Sequence, residues 1–372
     1  SQLTTFRLFL ALSLQLGLTI SQADVETAYL YSDLDEGIYI RIPEGMDDRD
    51  DDGNKMCWKL KKGLYGLKQS GFLWYRFISG WLRDFGFEQS VVDSCIYVYR
   101  NGDVTCLIST YVDDLFISCN CADFKADLIA KLREKFSITE STSFDDALGI
   151  QLDHKLDGFK LHMTNYITAM LERHGMSQCH STALPMDPGF EIHSKDAPTT
   201  DDEKAEMENL PYAKLVGELL WLSRCCRPDI TFAVSILARF THCYSRRHFN
   251  ALKHIMKYLK GTIDYGLIYT KSDDFDVQNS LIAYTDSDYA GSKADRYSTS
   301  GGILYLANCP ISWRTKKQST IATSTTESEL TAMFEIIKEI AFARNLLETL
   351  HFEQKKPTIL HCDNAGAFHL SK

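Results

Sequence analysis

Leu107-Ile108-Ser109-Thr110-Tyr111-Val112-Asp113-Asp114-Leu115-Phe116-Ile117-Ser118 places two adjacent aspartates inside an apolar, strand-like run. Residues 93–100 and 104–119 read as a pair of strands joined by Asn101-Gly102, a strong hairpin signal. A bare Asp-Asp pair also fits a surface turn, but strand-like flanks on both sides are unusual for one. Crowding carboxylates in an apolar hairpin is costly unless something compensates. The simplest compensation is a divalent cation, because carboxylate oxygens are the ligands Mg²⁺ prefers and the ion keeps positions for substrate phosphates.

A second acidic segment, Ala23-Asp24-Val25-Glu26-Thr27-Ala28-Tyr29-Leu30, falls in residues 19–30, which also read as a strand. With Asp24 as a third carboxylate bridging two metal ions about 3.5–4 Å apart, the set has what nucleotidyl transfer requires. One ion lowers the pKa of a primer 3′-hydroxyl and the other neutralises the leaving pyrophosphate.

Outward from this hairpin, the 372 residues are too many for one ordinary core. Hydrophobic residues at 44% and charged residues at 24% describe a globular chain. The net charge of −10 argues against a nucleic-acid partner unless basic residues cluster locally. The 11 cysteines include no C-x-x-C pair and read as free thiols in a reducing interior. Phe6 to Ile20 is apolar but interrupted by Gln15 and too short to span a bilayer, so it reads as a buried helix. Residues 37–43 read as a strand and the run Asp47 to Asp52 as a solvated loop. Residues 68–86 carry aromatics at helical spacing, and 122–136 form an amphipathic helix. A strand at 159–163 and a helix at 165–175 precede a polar linker at 185–209. Helices follow at 211–224, 228–243 and 246–260, the last with Gly261 as its C-cap. The final part reads as strands at 279–286, 300–308 and 310–313, a helix from Ser324 to Leu350, and a strand at 358–362. Strand, strand, strand, helix, strand is an α/β order.

That last part holds a second acidic set: Asp286 at a strand end in Tyr284-Thr285-Asp286-Ser287-Asp288-Tyr289-Ala290-Gly291, Glu329 in the first turns of the long helix, and Asp363 after the final strand. Three acids from a strand, a helix and a second strand can converge in such a fold and hold ions that activate water. Ser324-x-x-Glu327 and Thr326-x-x-Glu329 both fit a capping box, so Glu327 competes with Glu329 for the helix position. Asp288 reads as structural. The helix face Leu330, Phe334, Ile337 and Ala341 is expected to bury against the sheet and aim Glu329 at the site.

The Tyr-Val-Asp-Asp box with its upstream Asp24-x-x-x-Ala28-Tyr29 segment resembles the palm of reverse transcriptases. Leu64-Tyr65-Gly66-Leu67-Lys68-Gln69-Ser70-Gly71 with Trp74-Tyr75, Leu148-Gly149-Ile150, Tyr212 to Gly217, Arg227-Pro228-Asp229-Ile230 and Tyr258 to Thr262 are similar to blocks of the copia-type retrotransposon Pol polyprotein. The acidic set at Asp286, Glu329 and Asp363 resembles the ribonuclease H of the same elements. The resemblance implies an α+β chain. An antiparallel palm with partial fingers would occupy residues 1–152, a helical thumb and connection 153–278, and an α/β ribonuclease H-like domain 279–372, truncated at both chain ends. It implies Asp24, Asp113 and Asp114 as catalytic metal ligands of the polymerase, and Asp286, Glu329 and Asp363 as those of the nuclease, with two Mg²⁺ per site and Mn²⁺ as a substitute. Tyr29 would be the gate that excludes a 2′-hydroxyl, or else a core tyrosine. Gln69 would contact the nucleotide sugar, or else sit at a helix N-terminus as an ordinary polar residue. Leu148-Gly149-Ile150 would lie where the primer strand is held.

The partners so implied are an RNA template, a DNA primer, their hybrid and deoxynucleoside triphosphates, with protease and integrase segments elsewhere in the parent polyprotein and no membrane. Lys59-Leu60-Lys61-Lys62, Arg246-Arg247 and Arg314 to Lys317 are the basic clusters that could line the hybrid. The basic fingers segment before Asp24 and a fourth nuclease acid beyond Lys372 are missing from the pattern. The expected setting is intracellular, in a cytoplasmic virus-like particle, with the nucleus as the alternative. A decayed element that keeps the fold without activity is the competing reading, and a membrane-anchored protein built on residues 6–20 is a third.

Overall fold

The computed structural model describes residues 2–141, 144–193, 196–274, 280–292 and 295–372. The chain is a mixed α/β protein with antiparallel sheets, and it folds as two compact units. Gly17–Phe144 form one. Gln2–Leu16 and Asp145–Lys372 form the other, so the first helix, α1 (Leu3–Gln15), belongs with the C-terminal unit.

The first unit contains β1 (Thr19–Val25), the small ribbon β2 (Tyr39–Arg41) and β3 (Cys57–Lys59), helix α2 (Ser70–Phe85), β4 (Glu88–Gln89), β5 (Ile96–Asn101), β6 (Val104–Tyr111), β7 (Asp114–Cys119), helix α3 (Ala122–Lys135) and β8 (Ile138–Ser141). Its six-stranded sheet runs in the order β4-β5-β6-β7-β1-β8. Alternate residues of the strands, Ala23, Val25, Tyr97, Cys106, Ile108, Leu115 and Ile117, pack with Trp74, Ile78, Leu82, Leu128, Leu132 and Phe136 of the two helices and the turn after α3. Each large apolar side chain so buried contributes about 1.5–3 kcal/mol, so α2 is held by Trp74, Ile78 and Leu82, with Phe77, Trp81 and Phe85 partly buried beside them and Phe72 59% exposed.

Two strand readings are corrected here. Residues 19–30 are not one strand: β1 stops at Val25, Thr27 takes a left-handed φ of 53°, and Ala28–Tyr31 coil into a 3₁₀ turn. Residues 104–119 are two strands, β6 and β7, folded back at Val112-Asp113. The apolar run is continuous through this turn, so composition hid it. The β5–β6 loop is Gly102-Asp103, one residue beyond the expected Asn101-Gly102, because Asn101 pairs with Val104.

The second unit opens with α1, followed by β9 (Asp146–Ala147), β10 (Ile150–Lys155), β11 (Gly158–His162), α4 (Thr164–Arg173), α5 (Asp201–Glu208), α6 (Tyr212–Cys225), α7 (Thr231–Ala238), α8 (Arg246–Gly261), β12 (Gly266–Thr270), β13 (Leu281–Asp288), β14 (Thr299–Leu306), β15 (Cys309–Lys317), α9 (Thr325–Thr349), β16 (Ile359–His361) and α10 (Ala365–Leu370). One sheet runs β12-β11-β10-β9 and another β15-β14-β13-β16, in which β13 and β16 alone are parallel. The polar linker contains a short helix, α5, with a capping box between Thr200 and Glu203. Gly261 lies inside α8, whose C-cap is Thr262. The expected strand start and domain boundary near residue 279 lie outside the described residues.

Helix α9 buries Ser328, Glu329, Ala332, Ile336 and Ala343, not the expected face: Phe334 is 60% and Ile337 46% exposed. The helix starts at Ser324, whose side chain accepts from Glu327 N, and an α-helix turns 100° per residue. A one-residue error in choosing the face therefore exchanges buried for exposed positions.

Helix α1 is buried nearly all round, as read. Among the described residues no helix is long and apolar enough to cross a membrane. Its Arg7 is 4% exposed, stands 3.9 Å from the Trp313 ring centre, and donates to Ile311 O at 3.0 Å and to Arg224 O. Burial lowers its pKa. Replacing Arg7 by Ala leaves two carbonyls without their donor and opens a hole. The expected loss is about 3 kcal/mol from the second unit, read as an earlier denaturant transition of that unit while the transition of residues 17–144 stays in place.

Candidate functional site

The first acidic set is assembled by register. Antiparallel pairing puts Asp24 of β1 opposite Asp114 of β7, and the two-residue turn Val112-Asp113 follows Tyr111, itself paired with Asp114. Val112 has a φ of 57° in the first turn position, where glycine is usual. A β-branched residue there is strained by about 1–3 kcal/mol. The surroundings hold it: Trp74 Nε1 of α2 donates to Val112 O at 2.6 Å, and Val25 N donates to Asp113 O at 3.0 Å.

The side chains that hydrogen-bond these carboxylates are neutral. Gln22 Nε2 donates to Asp114 Oδ1 at 2.7 Å, and the Tyr65 hydroxyl donates to Asp113 Oδ2 at 3.3 Å. Burial, then the charges of Asp113 and Glu26, raises the pKa of Asp24. Burial likewise raises Asp114, with Asp24 and Asp113 adding to it and the Gln22 hydrogen bond opposing. Three oxygen-donor acids in mutual repulsion, served by an amide and a phenol, suit a hard divalent cation.

Tyr29 lies in the 3₁₀ turn after β1, its ring 4.4 Å from that of Tyr65. The chain at Gly63 passes so close that a Cβ there would sit 2.7 Å from Tyr29 O. Gln69 is the N-cap residue of α2 but makes no side-chain cap hydrogen bond, and Lys68 is exposed. Tyr65, Gln22 and Trp74 were not singled out for roles. Gln22 was legible, since it lies two residues before Asp24 on the same strand face. Leu148-Gly149-Ile150 turns between β9 and β10 in the second unit, with Leu148 at a φ of 57°.

The second set lies where β13 and β16 run parallel, with Tyr284 beside His361. Glu329 is 5% exposed; its Oε1 accepts from Ser287 N at 3.1 Å and from Ser287 Oγ at 3.0 Å. Asp286 Oδ1 accepts from the same Ser287 N at 2.8 Å. The Cys362 thiol donates to Glu329 Oε2 at 3.8 Å. One ligand atom from each of Glu329, Cys362 and Asp363 lies within 4.8 Å of the others; Asp286, which is exposed, is not in that group. Burial raises the Glu329 pKa most, with Asp286 and Asp363 adding and the Ser287 bonds opposing. Cys362 was missed as a donor, although its place beside Asp363 at a strand end was a usable signal.

Glu327 points elsewhere: it accepts from Thr323 N at 2.6 Å and Thr323 Oγ1 at 2.7 Å, which holds its pKa below the usual range. Asp288 lies against the backbone of residue 291, where a Cβ would come 1.7 Å from Oδ2, so that position requires glycine. Most of the basic clusters are engaged within the chain. Arg314 and Lys316 pair with Glu335 and Glu339, Lys317 with Asp295, Arg246 with Glu206, and Lys62 with Asp33.

Residues 1–188, which carry the whole first set, match the family model described as reverse transcriptase (RNA-dependent DNA polymerase). The chain belongs to the reverse transcriptase family. It is 34% identical, over 100% of its length and 28% of the relative's, to the retrovirus-related Pol polyprotein from transposon TNT 1-94 of Nicotiana tabacum. It is 33% identical, over 99% of its length and 24% of the relative's, to that from transposon RE1 of Arabidopsis thaliana. The Gag-Pol polyprotein of transposon Ty1-GR2 of Saccharomyces cerevisiae is 29% identical over 94% of this chain and 20% of its own. These similarities place the reverse transcriptase among the copia-type Pol polyproteins, and the chain spans about a quarter of the length of these three relatives.

The raised carboxyls have a consequence for stability. A folded-state pKa above the unfolded one means the folded chain binds its proton more tightly, so stability falls as pH rises through and above the ordinary carboxylate range. Asp114→Asn is therefore expected to melt above the parent protein at pH 7, and the gain should shrink as pH falls toward 3 in thermal scans.

Proposed function

We propose that this reverse transcriptase segment copies an RNA template by extending a DNA primer with deoxynucleoside triphosphates, and that its second unit hydrolyses the RNA of the resulting hybrid. The observation that supports the polymerase reading is the pairing of Asp24 with Asp114 beside the turn-borne Asp113. Bound Mg²⁺, or Mn²⁺ in its place, would supply the charge that lowers the pKa of a primer hydroxyl and neutralises pyrophosphate. Asp24, Asp113 and Asp114 hold that charge. Gln22 and Tyr65 keep the carboxylates oriented through one hydrogen bond each. The strained turn, clamped by Trp74, keeps Asp113 at the tip instead of in the sheet.

Tyr29, its ring tilted against that of Tyr65, forms the wall against which a 2′-hydroxyl would collide. Gln69, whose side chain the helix does not use, faces the sugar in this reading. In the second unit Asp286, Glu329 and Asp363 hold the hydrolytic site, with Ser287 fixing Glu329. The parent polyprotein would bring protease and integrase segments, and the setting would be a cytoplasmic particle or the nucleus.

Primer extension on an RNA template with Mg²⁺ tests the reading. The parent chain should extend and then cut the hybrid's RNA strand. Asp113→Asn/Asp114→Asn should lose extension, and Glu329→Gln should extend while leaving the RNA uncut. Extension by the double mutant at the parent's rate would overturn the assignment. A separate assay addresses the sugar: Tyr29→Ala should relax discrimination against ribonucleotides by about 10–100-fold, measured as the ratio of incorporation efficiencies.

A further inference from the structure

Cys106 and Cys119 are opposed residues of β6 and β7, at the base of the hairpin whose tip carries Asp113. Hydrogen-bonded and non-hydrogen-bonded pairs alternate along such a ladder. Asn120 N donates to Thr105 O at 3.2 Å, so the 105–120 pair is bonded and the 106–119 pair is not. Pairs of the latter kind bring side chains closest, with Cα atoms about 4.5 Å apart, inside the range a disulfide spans. Both cysteines are buried, Cys106 fully and Cys119 to 4% exposure, but Cys119 also borders a cavity of about 410 Å³ with Cys121, Lys125, Arg133 and Glu140.

The Cys119 thiol donates to Cys121 O at 3.3 Å, and the ionised form is favoured over that bond by the groups facing its sulfur. The Cys106 thiol hydrogen-bonds to it, the backbone N of Cys121 approaches at 3.4 Å, and Lys125 adds positive charge while pairing with Glu140 at 3.8 Å. Together they bring Cys119 to about 7, the Cys106 bond counting most and burial opposing. Burial instead pushes Cys225 and Cys309 up to about 12. Neither polymerisation nor hydrolysis uses Cys106 or Cys119.

We propose that Cys119 is a peroxide-reactive thiol and that Cys106 resolves it into a cross-strand disulfide. The Cys119 thiolate attacks one oxygen of a hydroperoxide, the O–O bond breaks, and the leaving alkoxide or hydroxide takes a proton, which leaves a sulfenic acid. Cys106 sulfur then attacks that sulfur, its proton and the hydroxyl depart as water, and the S–S bond forms. The two thiols lose two electrons in all, and the peroxide gains them. The product ties the base of the catalytic hairpin.

The test treats the full reduced chain with hydrogen peroxide at neutral pH, blocks remaining thiols and maps the peptides by mass spectrometry. The expected result is a Cys106–Cys119 linked peptide, two hydrogens lighter and reversed by dithiothreitol, with a rate that rises to half its maximum near the Cys119 pKa of about 7. In Cys106→Ser, which keeps a hydroxyl donor beside Cys119 but cannot form a disulfide, a sulfenic acid at Cys119 should persist and be trapped by a 1,3-diketone. A Cys119–Cys121 link, or oxidation of exposed Cys57 with Cys106 and Cys119 left as thiols, would overturn the proposal. Should the variant fail to fold by circular dichroism, the peptide map and the pH profile of the parent chain decide alone.

Discussion

Like charges brought together by strand register are the constraint on which the first unit turns. Asp24 and Asp114 are neighbours because β1 and β7 pair at that register, and a slip of one residue would send the carboxylates to opposite faces. Their repulsion weakens the fold, and the fold absorbs it through a buried apolar sheet-and-helix core underneath. Trp74 serves both purposes. Its ring sits in that core, and its indole N–H holds the strained turn that presents Asp113. Stability and site geometry therefore share a residue, as expected where strain is kept for function.

The second acidic set meets the same repulsion with different means. Glu329 comes from a helix that packs on the sheet, Asp286 from an antiparallel strand and Asp363 from the end of a parallel one. Serine hydroxyls and a thiol, not an amide and a phenol, surround the buried glutamate. The candidate metal-ligand atoms near Glu329 thus include a sulfur, while those of Asp24, Asp113 and Asp114 are all oxygen.

The basic clusters of the sequence are largely committed to partners within the chain. Arg314, Lys316, Lys317, Arg246 and Lys62 already face carboxylates of their own chain. The Lys62 and Arg246 pairs are exposed and worth about 0–1 kcal/mol, whereas Glu335, which holds Arg314 and Lys316, is only 13% exposed. Arg227 differs. It is 1% exposed, and it binds Asp229 at 2.8 Å and Thr262 O at 2.9 Å, while Tyr258 donates to the same Asp229 carboxylate at 2.8 Å. Two sequence blocks that resembled the copia pattern are therefore one buried structural joint.

The sequence by itself determined the element types and the acidic residues, because alternation, helical spacing and paired acids in apolar surroundings are local signals. It showed the hairpin of β5 and β6, the buried character of α1, and the order of strands and helix around Glu329. It could not show that residues 104–119 fold back at Val112, because the turn contains no glycine and is held by Trp74 and Val25 from elsewhere in the chain. Nor could it choose the buried face of α9 or separate Glu329 from Glu327, since a 100° rotation decides both and the packing partner is a distant strand. Gln22 and Cys362 occupy positions a local pattern marks, but their hydrogen bonds to Asp114 and Glu329, those of Tyr65 and Ser287, and the opposition of Cys106 to Cys119 were settled by tertiary structure. Register and helix rotation are set by contacts between segments far apart in the chain, and no local pattern encodes them.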